Sequence, residues 1–124
     1  MKATSLRRWA TALLSIVSLA VASHASADIT VGAYLKFKKP PEPPGFEDYL
    51  IGVGRGVFYA NVVLGMRKQP RLFCVPKDLE IDENMILAII DKEIRSPSDG
   101  VQHNDNAPLE GVMVEAFINR WPCK

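Results

Sequence analysis

The sequence predicts an all-α domain: a small helical bundle of three main helices plus a short N-terminal helix, stapled by one disulfide. Three observations predict it. Apolar residues repeat at steps of three and four over three long segments, proline and turn-forming residues break the chain between them, and two cysteines fall outside the segments.

The first 27 residues read as an address rather than as part of that domain. Lys2, Arg7 and Arg8 form a basic start, Trp9 to Ala22 is an apolar run of 14 residues, and Ala25-Ser26-Ala27 supplies the small residues that a signal peptidase accepts. The expected organisation is a cleavable signal peptide, 1–27, followed by a single domain, 28–124, exported to a bacterial periplasm. The alternative, an N-terminal membrane anchor, calls for about 20 uninterrupted apolar residues. Without 1–27, twelve basic and fourteen acidic residues remain, a net charge of −2. That balance lacks the concentrated basic face that nucleic acid requires. Export also makes the even pair Cys74 and Cys123 a disulfide candidate, the alternative being two buried free thiols.

The elements follow in order. Thr30 is a candidate N-cap for a short helix with Val31, Tyr34 and Leu35 at helical spacing, although Ile29, Val31 and Leu35 also fit a short strand. Lys38 to Gly45 holds four prolines in five positions, 40–44, which forbids regular helix and favours a stiff, extended connector. From Phe46 to Lys68 the stripe Phe46, Leu50, Val53, Val57, Ala60, Leu64 marks the central helix, with Glu47 and Asp48 in its first turn and Arg67 and Lys68 in its last. Three glycines interrupt it, each costing about 1 kcal/mol of helix propensity. They match neither a dinucleotide fingerprint nor a phosphate loop. Gly52, Gly56 and Ala60 instead recur every four residues on one face and read as a helix-packing groove.

Residues 69–76 break the helix and carry Cys74 between two prolines. Asp82 then caps a second helix that buries Met85, Ile86, Ile89, Ile90 and Ile94 and closes with Lys92 and Arg95. Residues 96–106 are eleven turn formers with one aliphatic side chain, Val101, and read as an exposed loop. Pro108 starts the last helix, whose inner face is Leu109, Val112, Met113, Ala116, Phe117 and Trp121.

Catalytic chemistry needs a nucleophile with a base, a carboxylate pair or a metal shell. His103, the one histidine outside 1–27, sits among Asn104, Asp105 and Asn106 and reads as a solvated loop residue, so no several-histidine metal site is expected. Asp78, Glu80, Asp82 and Glu83 lack the glycine and the acidic terminus of a calcium loop. No cofactor is expected, and the chain reads as a binding protein rather than an enzyme.

The order Tyr49-Leu50, Gly52-Val53, Gly56, Ala60-Asn61, then Leu72-Phe73-Cys74-Val75-Pro76 and a last helix ending Pro122-Cys123 resembles the Rap1a/Tai immunity proteins. The resemblance spans most of 28–124. It implies a periplasmic helical protein, often a homodimer, that blocks the active-site cleft of a peptidoglycan amidase toxin delivered by type VI secretion. Cys74 and Cys123 match that family's disulfide pair, and 96–106 matches its blocking loop, with Asp99, Gln102, His103, Asn104 and Asp105 as candidate contacts. Two rival expectations are a periplasmic acid-stress chaperone and a secreted hydrolase dependent on His103.

Overall fold

The computed structural model describes residues 28–124, and the expected signal peptide lies outside them. The described chain forms α1 (Val31–Phe37), α2 (Phe46–Met66), α3 (Glu83–Arg95) and α4 (Leu109–Arg120), with no strand among the described residues. The three longer helices pack on one another, and α1 lies against the shared core. The all-α bundle read from periodicity is the fold.

Thr30 caps α1 by accepting a hydrogen bond from the Ala33 N–H at 3.3 Å. That cap decides between helix and strand, because it satisfies a donor that a helix start otherwise leaves free. Val31 and Tyr34 are buried, whereas Leu35 points outward. The strand reading survives as one antiparallel bridge between Thr30 and Pro108. The proline-rich connector bends and turns instead of running extended. Lys38 draws it back by pairing with Glu42 at 3.2 Å and Glu47 at 3.0 Å.

α2 buries a different stripe from the one that hydrophobicity marks. Its inner positions are Phe46, Leu50, Gly54 and Asn61; Val53 and Val57 are half-buried and Ala60 is exposed. Gly54 brings the helix close to α3: a Cβ there would stand 2.3 Å from Ile86 Cγ2. At Gly52 and Gly56 a Cβ would meet nothing within 4 Å, so the expected groove at Gly52, Gly56 and Ala60 does not receive another helix of this chain. The packing glycine is Gly54, which the four-residue repeat passed over. Gly54→Ala should therefore destabilise by about 1–3 kcal/mol through overpacking, while Gly56→Ala should stabilise by about 1 kcal/mol through helix propensity. Urea midpoints of the two variants check this; equal effects would refute the assignment.

α2 ends at Met66, two residues before the expected end at Lys68, with Arg67 as its C-cap. Lys68 adopts a left-handed φ of 56°, with its N–H on Gly65 O and the Gln69 N–H on Leu64 O. This is the paired closure usually built on glycine. The next connector is held by Asn61, which is buried at 4% exposure. Its amide donates to Phe73 O at 2.9 Å and its oxygen accepts from Leu72 N at 2.8 Å and Phe73 N at 3.3 Å. Cys74 then bonds to Cys123, Cα to Cα 4.9 Å, beside a backbone hydrogen bond from Cys74 N to Trp121 O at 2.8 Å.

Asp82 caps α3 by accepting from the Met85 N–H at 2.8 Å. Ile86, Ile89, Ile90 and Ile94 are buried as the pattern requires, Met85 is half-buried, and Glu93 joins the inner face. Pro108 stands just before α4, at its N-cap position, and all six predicted inner residues are buried. Their centre is aromatic: Phe117 packs on Phe73 at 5.1 Å and on Trp121 at 5.6 Å between ring centroids.

Polar pairs lock the helices together. Tyr49 on α2 donates to Glu110 on α4; burial first, then that hydrogen bond and the charge of Glu110, push its phenol up to about 12. Tyr34 on α1 donates to Asp91 Oδ1 on α3 at 2.8 Å, and Arg95 Nε donates to the same oxygen at 2.8 Å. Burial alone would raise the Asp91 carboxyl, but the hydrogen bonds from Arg95 and Tyr34 outweigh it and hold the group below its ordinary range. A carboxyl lowered in the folded state contributes stability above its unfolded value of about 4, and that contribution is lost as pH falls through the folded value. Asp91→Asn should accordingly flatten the decline of stability below about pH 4. Denaturant midpoints against pH test this, and an unchanged acid limb would remove the claim.

Candidate partner-binding loop

The segment 96–106 leaves α3 and returns to α4, and its backbone is closed on itself by short-range turns. Asp99 Oδ1 accepts from Val101 N at 2.9 Å and Asn104 Oδ1 accepts from Asn106 N at 2.8 Å, the side-chain turns that Asp and Asn favour. Gly100, at φ 75°, donates to Pro97 O at 3.0 Å. A bulkier residue there would strain the turn.

The ends of the loop are tied to the frame. Gly32 N donates to Asp105 O at 2.9 Å and Val31 N donates to Ala107 O at 3.0 Å, so α1 holds the returning end of the loop. A Cβ on Gly32 would approach Asp105 O to 3.1 Å, which is why the first turn of α1 is small here. On the other side Pro97 is buried, and Glu93, 4% exposed, gathers the loop onto α3 and α4. Ser98 Oγ donates to Glu93 Oε2 at 3.0 Å, and Asn119 Nδ2 donates to Glu93 Oε1 at 3.1 Å. Beside this anchor runs a groove of about 320 Å³ whose rim carries Lys92 and Arg120.

Of the five candidate contacts, Asp99, Gln102, Asn104 and Asp105 are exposed. His103 departs from expectation. Its side chain is only 14% exposed and lies between Glu93 Oε1, 3.6 Å from Nε2, and Glu115 Oε2, 3.8 Å from Nδ1. It therefore belongs to the underside of the loop and not to its solvated tip. The buried Nε2 has no hydrogen-bond partner. Ser98 is held by Glu93, and no hydrogen bond joins it to His103 among the described residues.

Sequence reading missed Glu93, Ser98 and Asn119. A signal existed for the first: Glu93 falls one heptad after Ile86 and three residues after Ile90, a carboxylate on an apolar stripe. Glu93→Ala should leave the Ser98 hydroxyl and the Asn119 amide without their acceptor and cost about 2 kcal/mol. It should also speed amide hydrogen exchange over 98–104 more than in α3 or α4. Exchange left unchanged in the loop would refute the anchor.

No group of three or more His, Cys, Asp and Glu side chains poised to hold a metal occurs among the described residues. Comparison of the chain with protein-family models, with curated proteins and with solved structures gives no match.

Proposed function

We propose that this chain is an exported binding protein of the immunity type, acting in the periplasm. In this reading it protects its producer by seating the 96–106 loop in the cleft of a peptidoglycan amidase toxin delivered by type VI secretion. The observation that carries the proposal is the pre-organised loop. Asp99, Gln102, Asn104 and Asp105 project from a backbone tied to α1, and Glu93 secures its underside to α3 and α4. A loop already ordered loses less entropy when a partner closes on it, so polar contacts at its surface convert more fully into affinity. The disulfide accords with an oxidising compartment.

The test is protection. Cells exporting an amidase encoded beside this gene should survive with the intact chain and lyse when 99–105 is shortened to a two-glycine turn. Circular dichroism of the shortened chain should show the helices retained. Undiminished protection by the shortened chain would end the reading.

The outward face of α2, with Tyr59 and Met66 63% and 77% exposed, favours a second reading as an acid-stress chaperone. A chaperone should bind a hydrophobic dye and keep a client soluble at about pH 2–3. An immunity protein should gain neither property.

A further inference from the structure

Beside the loop anchor, α3 and α4 leave a groove of about 320 Å³. Its floor is hydrocarbon: Met85, Ala88 and Ile89 lie on one face of α3, and Ala116 of α4 completes it. The alanines keep it open, because neither carries a side chain long enough to fill the space. Glu93, Ser98 and Asn119 make one side polar, and Lys92 and Arg120 stand on the rim. Burial sorts the charges by depth, with Glu93 only 4% exposed and both cations exposed. None of the five candidate contacts of the loop lines the groove, so what it binds is independent of the immunity reading.

The fold leaves polar groups unspent here. Lys92 and Arg120 form no ion pair among the described residues. Arg120 stacks on Trp121, with Cζ 5.9 Å from the ring centroid. A stacked guanidinium keeps its in-plane N–H groups available to a carboxylate. Asn119 spends Nδ2 on Glu93, and its Oδ1 meets no donor among the described residues. Glu93 Oε2 accepts from Ser98 Oγ alone, although a carboxylate oxygen has room for a second donor. The groove thus offers cations at the rim, free acceptors deeper in, and hydrocarbon beneath.

We infer that this groove binds the carboxyl-terminal end of a short peptide. Its carboxylate lies on Lys92 and Arg120, its N–H groups reach Glu93 and Asn119, and a small or aliphatic side chain rests on the floor at Ala88 and Ala116. Charge sets the direction, because Glu93 repels the carboxylate and accepts from an N–H, which sends the carboxylate to the rim. A fatty acid would satisfy the cations but lay hydrocarbon over the free acceptors, which would lose water without gaining a donor. An internal stretch of chain brings no carboxylate. The volume stands at the lower end of small-molecule sites, roughly 300–1,000 Å³, and suits a dipeptide-sized ligand and not a folded partner.

The test is a titration of the isotope-labelled, oxidised chain, followed by amide chemical shifts, with N-acetyl-Ala-Leu, its carboxyl-terminal amide and octanoate. The free acid should give saturable shifts at 88–93, 98 and 116–120, with a Kd of roughly 0.1–1 mM for so small a ligand. The amide and octanoate should each bind about tenfold more weakly or worse. Lys92→Gln combined with Arg120→Gln should bring the acid down to the level of the amide, while the thermal midpoint holds because both positions are exposed. Ala88→Leu, also at an exposed position, fills the floor and should weaken the acid by about tenfold. The absence of saturable shifts below about 10 mM, equal binding of acid and amide, or a double variant that binds like the parent would overturn the site. Octanoate binding as tightly as the acid would overturn its assignment to a peptide.

Discussion

Replacing Cys74 and Cys123 together by serine should lower folding stability by about 4 kcal/mol, the loop-closure entropy that a cross-link over roughly 50 residues removes from the unfolded chain. The two cysteines are 49 apart in sequence and bracket α3, the loop and α4. A domain near this size has about 5–15 kcal/mol of net stability. The loss therefore takes a large share of it, and the thermal midpoint should fall by well over about 15 °C. Dithiothreitol should shift the parent's midpoint equally and leave the double variant unmoved. A double variant as stable as the oxidised parent would show that the bond constrains nothing the fold needs.

Asn61→Leu should be comparably severe, at about 3–4 kcal/mol, because three hydrogen bonds disappear at once from a buried site. Leucine has the same branching and the same number of side-chain heavy atoms as asparagine, so no cavity opens and the loss reports chiefly on polar satisfaction. The amide of Asn61 serves Phe73 O, and its oxygen serves Leu72 N and Phe73 N. Phe73 is itself fully buried, so its peptide groups have no water to turn to. Asn61→Asp should also fail, since a carboxylate would face the Phe73 carbonyl without a proton to offer. Thermal melts of both variants check this, and a loss below about 1 kcal/mol would mean the connector finds other partners.

The two sites hold the same connector. Asn61 grips Leu72 and Phe73, and the disulfide grips the next residue, Cys74. Residues so close couple, so their combined loss should depart from the sum of the separate losses.

Helix type and order were legible because they depend on local chemistry. Asp82 caps the helix that begins just after it, and the four buried isoleucines of α3 and six inner residues of α4 repeat at the period that places them on one face; at Thr30 the pattern also fitted a strand, and the cap seen in the fold decided it. The position of the candidate loop was legible for the same reason, as a run that offers no apolar face to bury. Its anchoring was not. Glu93 goes inside because Ser98 and Asn119, distant in sequence or outside its helix, supply the donors that make its burial tolerable. His103 turns under the loop because two carboxylates from different helices meet there.

By itself the sequence determined the three long helices, approximately where they start and which cysteines are available to pair, since caps, periodicity and composition act within a few residues; the short N-terminal segment stayed open between helix and strand. The tertiary structure alone decided that Gly54 and Asn61 line the buried face of α2 in place of Ala60. Hydrophobicity is silent at both positions. A glycine is chosen by the side chain that must approach it, here Ile86, and a buried asparagine by the backbone groups it must satisfy, here those of Leu72 and Phe73.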